Sequence, residues 1–349
     1  MGDNRENLVS AIVVNWNRRD LLRNCLESLR RQRGIRLEII VVDNGSTDGS
    51  LEMMEREFPA TAELPVKRIA NATNLGFCAA NNQGIAVAEG EWIALLNNDA
   101  EAEPDWLAKL VGAVKEREDV GMAACKILVY EDPSRIDKAG HLMYLDGQNR
   151  GRGSGRKDVG QYDAEEEVLF PDGCAAMYRR GMLEEIGGFD EDFFAYGDDA
   201  ELGLRARIAG WKCLYVPAAV VRHHRASTLG VLASRRLELI ERNRVLLAFK
   251  LFPWSLLWLN GAFYLIRLGA GVWAALRSKG EVGRFPGLNG KLQVAAALLR
   301  ADLQALKMLP RMLRKRRELQ PIRRISGWNL TTMLIRHRIS LKELMEEAV

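Results

Sequence analysis

The sequence has few of the features that mark a secreted or zinc-binding protein. Its cysteines are odd in number and far apart, with no CxxC pair or Cys and His spacing suited to zinc. They are Cys25, Cys78, Cys125, Cys174 and Cys213. Such cysteines are expected to be buried thiols in a reducing compartment. The opening segment MGDNRENLVS lacks the basic and apolar stretches of a signal peptide, which predicts a cytoplasmic protein.

Acidic residues are scarce toward the end of the chain. From Lys291 onward, 13 Lys and Arg against 5 Asp and Glu give +8, so the net charge of +4 leaves −4 for the preceding residues. A basic tail is typical of proteins that bind nucleic acid or an anionic membrane surface. The sequence shows no helix-turn-helix, zinc finger or aromatic RNA-binding strand beside this charge. We therefore expect an anionic membrane surface as a partner, and no nucleic acid.

The first third of the chain alternates short β-branched runs with helical patterns. These segments cover residues 8–14, 18–31, 37–42, 47–58, 66–70, 77–88 and 92–96. The alternation predicts an α/β fold with a mainly parallel sheet. Polar clusters follow three of the strands, at residues 15–17, 43–48 and 97–99. Because the carboxyl ends of parallel strands share one edge of the sheet, these clusters are expected to form one site.

The later part of the chain is less regular. Residues 146–160 are rich in glycine and charge without periodicity, which predicts a mobile loop, either a lid over an acceptor or a plain surface loop. A helix is predicted at about residues 199–209. We expect a catalytic domain over residues 1–228 and a helical, basic region over residues 229–349.

Residues 252–276 have Arg267 as their only charge and are long enough to cross a bilayer of about 30 Å. Arg267 near the middle would cost about 3 kcal/mol on insertion, while Pro253 and the aromatic residues suit the headgroup region. We expect a segment that lies in or re-enters the membrane interface, with a spanning helix and a buried helical bundle as alternatives. Basic residues beyond it could bind anionic headgroups or form a solvated helix face. They are Arg311, Arg314, Lys315, Arg316, Arg317, Arg323 and Arg324.

Two acidic positions suit transfer from a nucleotide diphosphate carrier, which requires a cation on the phosphates and a base for the attacking hydroxyl. Asp99, at the end of WIALLNNDA, could be a metal ligand or only a turn or helix cap. The run GDDAEL contains Asp198, Asp199 and Glu201, which could supply the base or merely suit a helix amino terminus. A dinucleotide oxidoreductase is disfavoured, because the first strand is followed by NWNRRD rather than a glycine fingerprint.

Five segments follow one another over about residues 9–227. They are VVNWNRRDLLRNCLESL, VVDNGSTDGS, NLGFCAANNQGI, LLNNDAEAEPDWL and FDEDFFAYGDDAELGLRARIAGWKCLYVP. Together and in this order they resemble the family 2 glycosyltransferases, especially the bacterial rhamnosyltransferase-like branch. The resemblance implies a GT-A fold, an inverting reaction and a divalent metal, Mn2+ or Mg2+.

The resemblance assigns donor contacts to the first part of the chain. Trp16 stands where the family often has an aromatic residue that packs on the nucleobase, with core packing as the alternative. Asp43 corresponds to the family's nucleoside-contacting acid. Asn74 and Gly76 match the loop that approaches the donor, where glycine permits close backbone contact.

The metal position follows from the same resemblance. Asn97 and Asp99 match the two ends of the family's DxD element. Since the first acid is replaced, Asp99 carries most of the expected metal role and Asn97 contacts the substrate. His223 aligns with a histidine that the family often places near the metal or diphosphate, with a local hydrogen bond as the alternative.

The base position is implied by the family's acidic pair, which aligns with Asp198 and Asp199. Asp199 is therefore the expected general base. Asp198 replaces a usual Glu, and Glu201 stands where the branch usually has Asp. Both are expected either to contact the substrate or to organise the helix.

We therefore expect a transferase that moves a sugar from a nucleotide-sugar donor, with dTDP-rhamnose as first candidate, to a lipid-linked saccharide or polysaccharide acceptor. It would act in cell-surface glycan synthesis, peripheral on the inner face of the cell membrane. A non-catalytic nucleotide-binding scaffold with the same fold is the alternative, because Asn97 replaces an acid. Helical tails also mediate dimers, so a homodimer is an alternative to membrane contact.

Overall fold

The computed structural model describes residues 7–225, 233–276, 287–340 and 342–343. Its strands are β1 (Leu8–Asn15), β2 (Arg36–Asp43), β3 (Val66–Ala70), β4 (Trp92–Leu96), β5 (Ala100–Ala102), β6 (Val120–Val129), β7 (Ile136–Lys138), β8 (His141–Met143), β9 (Asn149–Gly151), β10 (Glu166–Val168), β11 (Ala175–Arg179) and β12 (Lys212–His223). Its α-helices are α1 (Arg19–Arg30), α2 (Ser50–Glu57), α3 (Phe77–Val87), α4 (Trp106–Val114), α5 (Arg180–Ile186), α6 (Asp198–Ile208), α7 (Ala233–Leu251), α8 (Trp254–Leu276), α9 (Gly287–Glu318) and α10 (Gly327–Arg336). A short 3-10 helix, Glu191–Phe193, precedes α6. Helix α6 itself confirms the helix predicted at about residues 199–209.

One ten-stranded sheet organises the first two thirds of the chain. Its order is β10-β12-β6-β11-β4-β1-β2-β3, with β5 paired to β12 and β7 paired to β6. The strands β3, β2, β1 and β4 are parallel, and so are β6 and β12, whereas β11 runs antiparallel between β4 and β6. The expected mainly parallel sheet is confirmed.

The sheet is buried on both faces. Ile12 and Ile40 lie in one hydrophobic cluster, and Val13 and Val41 lie in the other. Since successive side chains of a strand point to opposite faces, each cluster fills one side of the sheet. A strand buried on both sides needs mainly apolar side chains, which explains the apolar runs at residues 11–14 of β1 and 39–42 of β2.

The strand register brings the polar clusters to one edge. Asn15 pairs with Asp43 at the last position shared by β1 and β2. β4 pairs in parallel with β1 up to Leu95 opposite Ile12, so Asn97 follows at the same edge. The expected convergence of three strand ends is confirmed.

The glycine-rich segment 146–160 is more regular than its sequence suggests. β8 and β9 form an antiparallel hairpin whose turn buries Asp146 completely. The carboxylate Oδ2 of Asp146 lies 2.6 Å from Arg267 Nε and 3.6 Å from Arg244 Nη1. The prediction of an aperiodic loop is therefore wrong for residues 146–151, because distant cations hold this turn in place.

The helices after β12 pack on the sheet domain. Leu246, Phe252, Met312 and Leu330 belong to the same hydrophobic cluster as Ile12. The boundary expected at residue 228 lies outside the described residues. The sheet part and the C-terminal helices both contribute to this cluster. The division into two domains therefore stays a prediction.

Helix α8 turns its one charge toward the protein. Arg267 contacts Asp146 at 2.6 Å and Glu241 of α7 at 2.7 Å. On α8, Trp258 and Leu265 are 87% and 68% exposed. The charge of Arg267, which would be costly to insert into a membrane, is thus neutralised by the carboxylates of Asp146 and Glu241. Among the described helices, none is long and apolar enough to cross a membrane.

Part of the basic cluster is bound to acids of the sheet domain. Arg311 lies 2.7 Å from Asp192, and Lys315 contacts both Asp190 and Asp192. For Lys315, the interpretation as a free lipid-binding charge or as a solvated face is wrong, because it pairs with the buried carboxylate of Asp190. Arg311 is paired as well, so it is not a free charge, but its side chain is 60% exposed, as expected for a solvated helix face.

Replacing Arg267 by Met should destabilise the protein by about 3 kcal/mol, because Asp146 and Glu241 lose a cation that compensates their burial. Urea unfolding measures the change. Arg314→Met on the exposed side of α9 is the control, with an expected effect within about 0.5 kcal/mol. Equal stability of the two variants would contradict a structural role for the ion pairs of Arg267.

Candidate active site

The ends of β1, β2 and β4 are joined by one chain of hydrogen bonds. Asn15 donates through Nδ2 to Asp43 Oδ2 at 2.9 Å, and the backbone N–H of Ser46 donates to Asp43 Oδ1 at 2.8 Å. Asn98, after β4, donates through Nδ2 to Asn15 Oδ1 at 2.8 Å. Asp43 is completely buried. Its carboxylate is therefore fixed in place, while its contact with a nucleoside stays a prediction.

Trp16 lies directly after β1 and is partly exposed. It belongs to neither of the two hydrophobic clusters that the described residues form. This position does not favour core packing. A partly exposed indole beside Asn15 suits stacking on a planar ring, and that role stays a prediction.

Asn74 and Gly76 form a tight turn before α3. The backbone N–H of Gly76 donates to Asn74 Oδ1 at 2.9 Å, and Asn44 donates to the same atom at 3.3 Å. Gly76 has φ +89°, and a Cβ there would lie 2.5 Å from the ring of Phe194. The glycine is thus required by the segment before α6, a partner that the sequence does not indicate.

Asp99 and His223 face each other at the edge of the sheet. Nε2 of His223 lies 3.2 Å from Asp99 Oδ1, and Nδ1 lies 2.7 Å from Asp137 Oδ2. A metal-binding His typically gives its other ring N–H to a carboxylate, which fixes the ring. Asp99 and His223 therefore fit a divalent cation, with Asp137 as the residue that orients the imidazole. Asp137 was not expected from the sequence.

The charge state of His223 depends on the same carboxylates. Burial would lower its pKa, but the neighbouring Cys174 and the hydrogen bonds to Asp137 and Asp99 raise the pKa well above its usual value. A cation bound through Nε2 would displace that proton. Asn97 lies beside this pair, with its backbone N–H donating to Cys174 O at 2.8 Å and its side chain partly exposed.

The acidic pair Asp198 and Asp199 begins α6 and is buried. Asp199 Oδ1 accepts from the backbone N–H of Ala200 at 2.8 Å and from Asn149 Nδ2 at 3.4 Å. Burial raises the pKa of both carboxyls, and the charge of Asp199 raises the pKa of Asp198 further, whereas His141 opposes the rise at Asp199. A carboxyl with a raised pKa is a stronger base near neutral pH.

A buried network that the sequence analysis missed lies beside Asp199. His141 Nε2 is 2.6 Å from Asp172 Oδ2 and 3.6 Å from Asp199 Oδ2. The ammonium of Lys138 lies 2.7 Å from Asp172. Burial would raise the pKa of Asp172, but Lys138 and His141 hold it well below its usual value. The partners are far apart in the sequence, so no motif spacing indicates them.

His141, Asp172 and Asp199 offer ligand atoms within 4.8 Å of one another, so within the described part of the chain they form a further set that could hold a metal. Lys138 already gives Asp172 a positive partner, which favours an ion-pair network beside Asp199. Lys138 follows Asp137 directly in β7, and consecutive strand side chains point to opposite faces. The short strand β7 thus contacts both the His223 side and the Asp199 side.

Glu201 is completely buried inside α6. Its carboxylate lies 2.7 Å from Arg205 and 2.6 Å from Lys250. Burial would raise the pKa of Glu201, but these two cations lower it. The geometry favours the second of the two roles expected for Glu201, which is to organise the helix.

The order of this sheet, with acids at its edge, is that of the expected GT-A fold, and solved structures confirm the fold. The mannosyltransferase PcManGT of Pyrobaculum calidifontis, in complex with GDP-Man and Mn2+, superposes with a TM-score of 0.52 and 19% identity, covering 85% of this chain and 86% of that chain. GalNAc-T7 with UDP, GalNAc and Mn2+ gives a TM-score of 0.56 and 17% identity, covering 70% of this chain and 48% of that chain.

The chain belongs to glycosyl transferase family 2, whose sequence model matches residues 10–187. The N-acetylglucosaminyl-diphospho-decaprenol L-rhamnosyltransferase of Mycobacterium tuberculosis is 27% identical over 250 residues, 64% of this chain and 78% of that protein. The O-antigen biosynthesis protein RfbC of Myxococcus xanthus is 30% identical over 258 residues, 70% of this chain. This chain spans only 19% of the length of RfbC. The expected family and its rhamnosyltransferase-like branch are confirmed.

Gly76→Ala should destabilise the protein by about 2 kcal/mol, because alanine is strained at this positive φ and its Cβ meets Phe194. Thermal unfolding measures the change. Gly112→Ala in α4 is the matched control, since a Cβ there meets nothing within 4 Å, and it should stabilise by up to about 1 kcal/mol. A Gly76→Ala protein as stable as the control would refute the contact with Phe194.

Proposed function

We propose that this chain is an inverting glycosyltransferase that moves a sugar from a nucleotide-diphosphate donor to a hydroxyl of a cell-surface glycan acceptor. The observation that supports it most is the position of β7 between two kinds of site. Asp137 bonds to His223, which faces Asp99, whereas Lys138 lies in the network around Asp199. Groups suited to a diphosphate-bound cation and to a general base are therefore neighbours.

Asp99 and His223 would hold the cation, which would be Mn2+ or Mg2+. Both solved structures named above contain Mn2+, which supports a metal here. When bound, such an ion neutralises charge on the diphosphate leaving group. Because Asn97 replaces the first acid of the DxD element, phosphate oxygens and water would complete the coordination.

Asp199 would take the proton of the acceptor hydroxyl while the hydroxyl oxygen forms a bond to the anomeric carbon. The bond from this carbon to the diphosphate breaks on the opposite side, and the diphosphate leaves with the electron pair. The configuration at the anomeric carbon is inverted. The raised pKa of Asp199 supports this role, because a carboxylate of ordinary pKa holds a transferred proton poorly.

The substrates are proposed from the relatives and from the donor-side residues. One relative is named a rhamnosyltransferase acting on a diphospho-decaprenol-linked sugar, which supports a dTDP-rhamnose donor and a lipid-linked acceptor. Another is named for O-antigen biosynthesis, which supports a polysaccharide product. Trp16 would pack on the nucleobase, Asp43 would contact the nucleoside, and Asn74 and Gly76 would lie in the loop that approaches the donor.

The exposed apolar faces of α8 and α9 would hold the enzyme on the inner face of the cell membrane. Trp258 and Leu265 on α8 and Leu299 on α9 are 87%, 68% and 62% exposed. The two helices are adjacent, since the Arg316 guanidinium lies 4.4 Å from the centre of the Trp254 ring. Exposed indole and leucine side chains suit the boundary between headgroups and acyl chains. A second copy of the chain is the alternative occupant of this surface.

Asp199→Asn should lower kcat by about 1,000-fold and leave nucleotide affinity unchanged, because the amide cannot accept a proton. Asp99→Ala should instead abolish the metal-dependent part of nucleotide binding. Calorimetry with dTDP and UDP, with Mn2+ and then with chelator, measures binding, and release of nucleoside diphosphate measures transfer.

The wild-type kcat should fall as the pH drops through the raised pKa of Asp199, because the protonated carboxyl is no longer a base.

Unchanged turnover of Asp199→Asn would refute the assignment of the base. A well-folded wild-type protein that binds no nucleotide would refute the donor site as well.

Trp258→Glu combined with Leu265→Glu should abolish flotation of the full chain with phosphatidylglycerol vesicles, because two carboxylates replace exposed apolar side chains that would insert into the bilayer surface. Val159→Glu is the control, since Val159 is 79% exposed on the sheet domain. Flotation that survives the double change would sink the membrane proposal. A change from dimer to monomer in the same variant would identify the surface as a dimer interface.

A further inference from the structure

The segment that leads into α6 has an unusual backbone. Phe194 and Tyr196 have φ of 64° and 68°, in the left-handed region that residues with a side chain rarely adopt. Gly197 follows with φ 72°, and Asp198 and Asp199 come next. A backbone of this kind persists only when surrounding contacts hold it. The position of Asp199 therefore depends on whatever holds residues 192–197.

Asn243 on α7 holds three carbonyl groups of this segment. Its Nδ2 donates to the carbonyl oxygens of Phe193 at 2.9 Å, Ala195 at 2.9 Å and Tyr196 at 2.6 Å. An amide nitrogen has two hydrogens, so one of them is shared between two acceptors. Asn243 is 1% exposed, so water does not compete for these bonds.

Arg242, the neighbour of Asn243, holds the start of the segment. Its Nη2 donates to the carbonyl oxygens of Asp192 and Phe193, each at 3.0 Å. The carbonyl of Phe194 accepts from the backbone N–H of Cys78 at 3.2 Å. All five carbonyls of residues 192–196 thus have a donor outside the segment, and two consecutive residues of α7 serve four of them.

We propose that Asn243 and Arg242 are positioning residues for Asp199, which fix the backbone of residues 192–197 so that this carboxylate meets the acceptor hydroxyl. The inference rests on the proposed role of Asp199 as the base. It makes α7 a part of the transferase that lies outside the matched residues 10–187. Asparagine suits the position because an aspartate of the same shape would set a carboxylate against three carbonyl oxygens.

Asn243→Ala and Asn243→Asp in the full chain should lower kcat by about 10- to 100-fold, with the larger loss for Asp. The affinity for dTDP and Mn2+ should stay within about twofold, because the segment 192–197 meets the donor loop through Phe194, whose carbonyl is bonded to the Cys78 N–H and not to Asn243 or Arg242. Asn329→Ala is the matched control, since Asn329 is exposed on α10, and its kcat should equal that of the wild type. Loss of nucleotide affinity in step with kcat would overturn the proposal in favour of general destabilisation.

A double-mutant cycle separates positioning from stability. In the Asp199→Asn background, Asn243→Ala should leave the residual rate unchanged, because it acts only through Asp199. A further drop as large as that in the wild-type background would overturn the proposal. Arg242→Lys keeps the charge and loses the planar donor geometry, so it should show the same behaviour with a smaller loss, and it serves if Asn243→Ala does not fold.

Hydrogen exchange provides a measurement that does not depend on catalysis. The backbone N–H groups of Phe193 and Phe194 donate to the carbonyls of Asp190 and Glu191, just before the segment. That of Ala195 donates to Phe193 O, and that of Cys78 donates to Phe194 O. Exchange in peptides covering them should be faster in Asn243→Ala than in Asn329→Ala. If exchange is faster in Asn243→Ala but the wild-type protein transfers no sugar, the proposed function is refuted. The support of residues 192–197 by Asn243 would still hold. Unchanged exchange together with unchanged kcat would overturn the inference itself.

Discussion

Buried carboxylates need a cation beside them, and Lys250 of α7 supplies one that ties several elements of this protein together. Its ammonium lies 2.6 Å from both Asp190 and Glu201, and its side chain is 5% exposed. Breaking a buried ion pair by removing one partner typically costs about 3 to 5 kcal/mol. One side chain therefore joins the 3-10 helix region, α6 and α7. The shape of the site around Asp199, the proposed base, depends on this junction.

Some of the buried carboxylates around α6 have cations beside them that offset the cost of burial, and others do not. This difference separates the acids by role. Burial opposes ionisation of Asp190 and Glu201, yet Lys250 and other cations lower the pKa of both, to about 2 for Asp190. Burial also opposes ionisation of Asp198 and Asp199, and there the pKa stays raised. Acids within a few residues of one another thus become either fixed charges that hold the fold or groups that can accept a proton.

The sequence predicts what depends on neighbours along the chain. The apolar runs of β1 and β2 indicate a sheet buried on both faces, and the shared edge of parallel strands brings Asn15 to Asp43. It does not predict partners through space. Hydropathy counts Arg267 as a cost in a membrane, whereas its carboxylate partner Asp146 is 121 residues away in the chain. Lys138 is missed for the same reason, since nothing near it marks a partner of Asp172.

The two halves of the candidate site differ in whether a local sequence pattern or a distant part of the chain determines their structure. Asn15 and Asp43 end β1 and β2, and Asp99 follows β4, all within the matched residues 10–187, so a local pattern is enough to find them. Asp199 lies beyond that range, and the carbonyls before it are held by α7. Backbone carbonyls are alike whatever the side chain, so the order of this segment is determined by donors elsewhere in the chain. A local motif can therefore identify the acid, whereas the backbone that leads to it is ordered by donors of α7 that no local motif indicates.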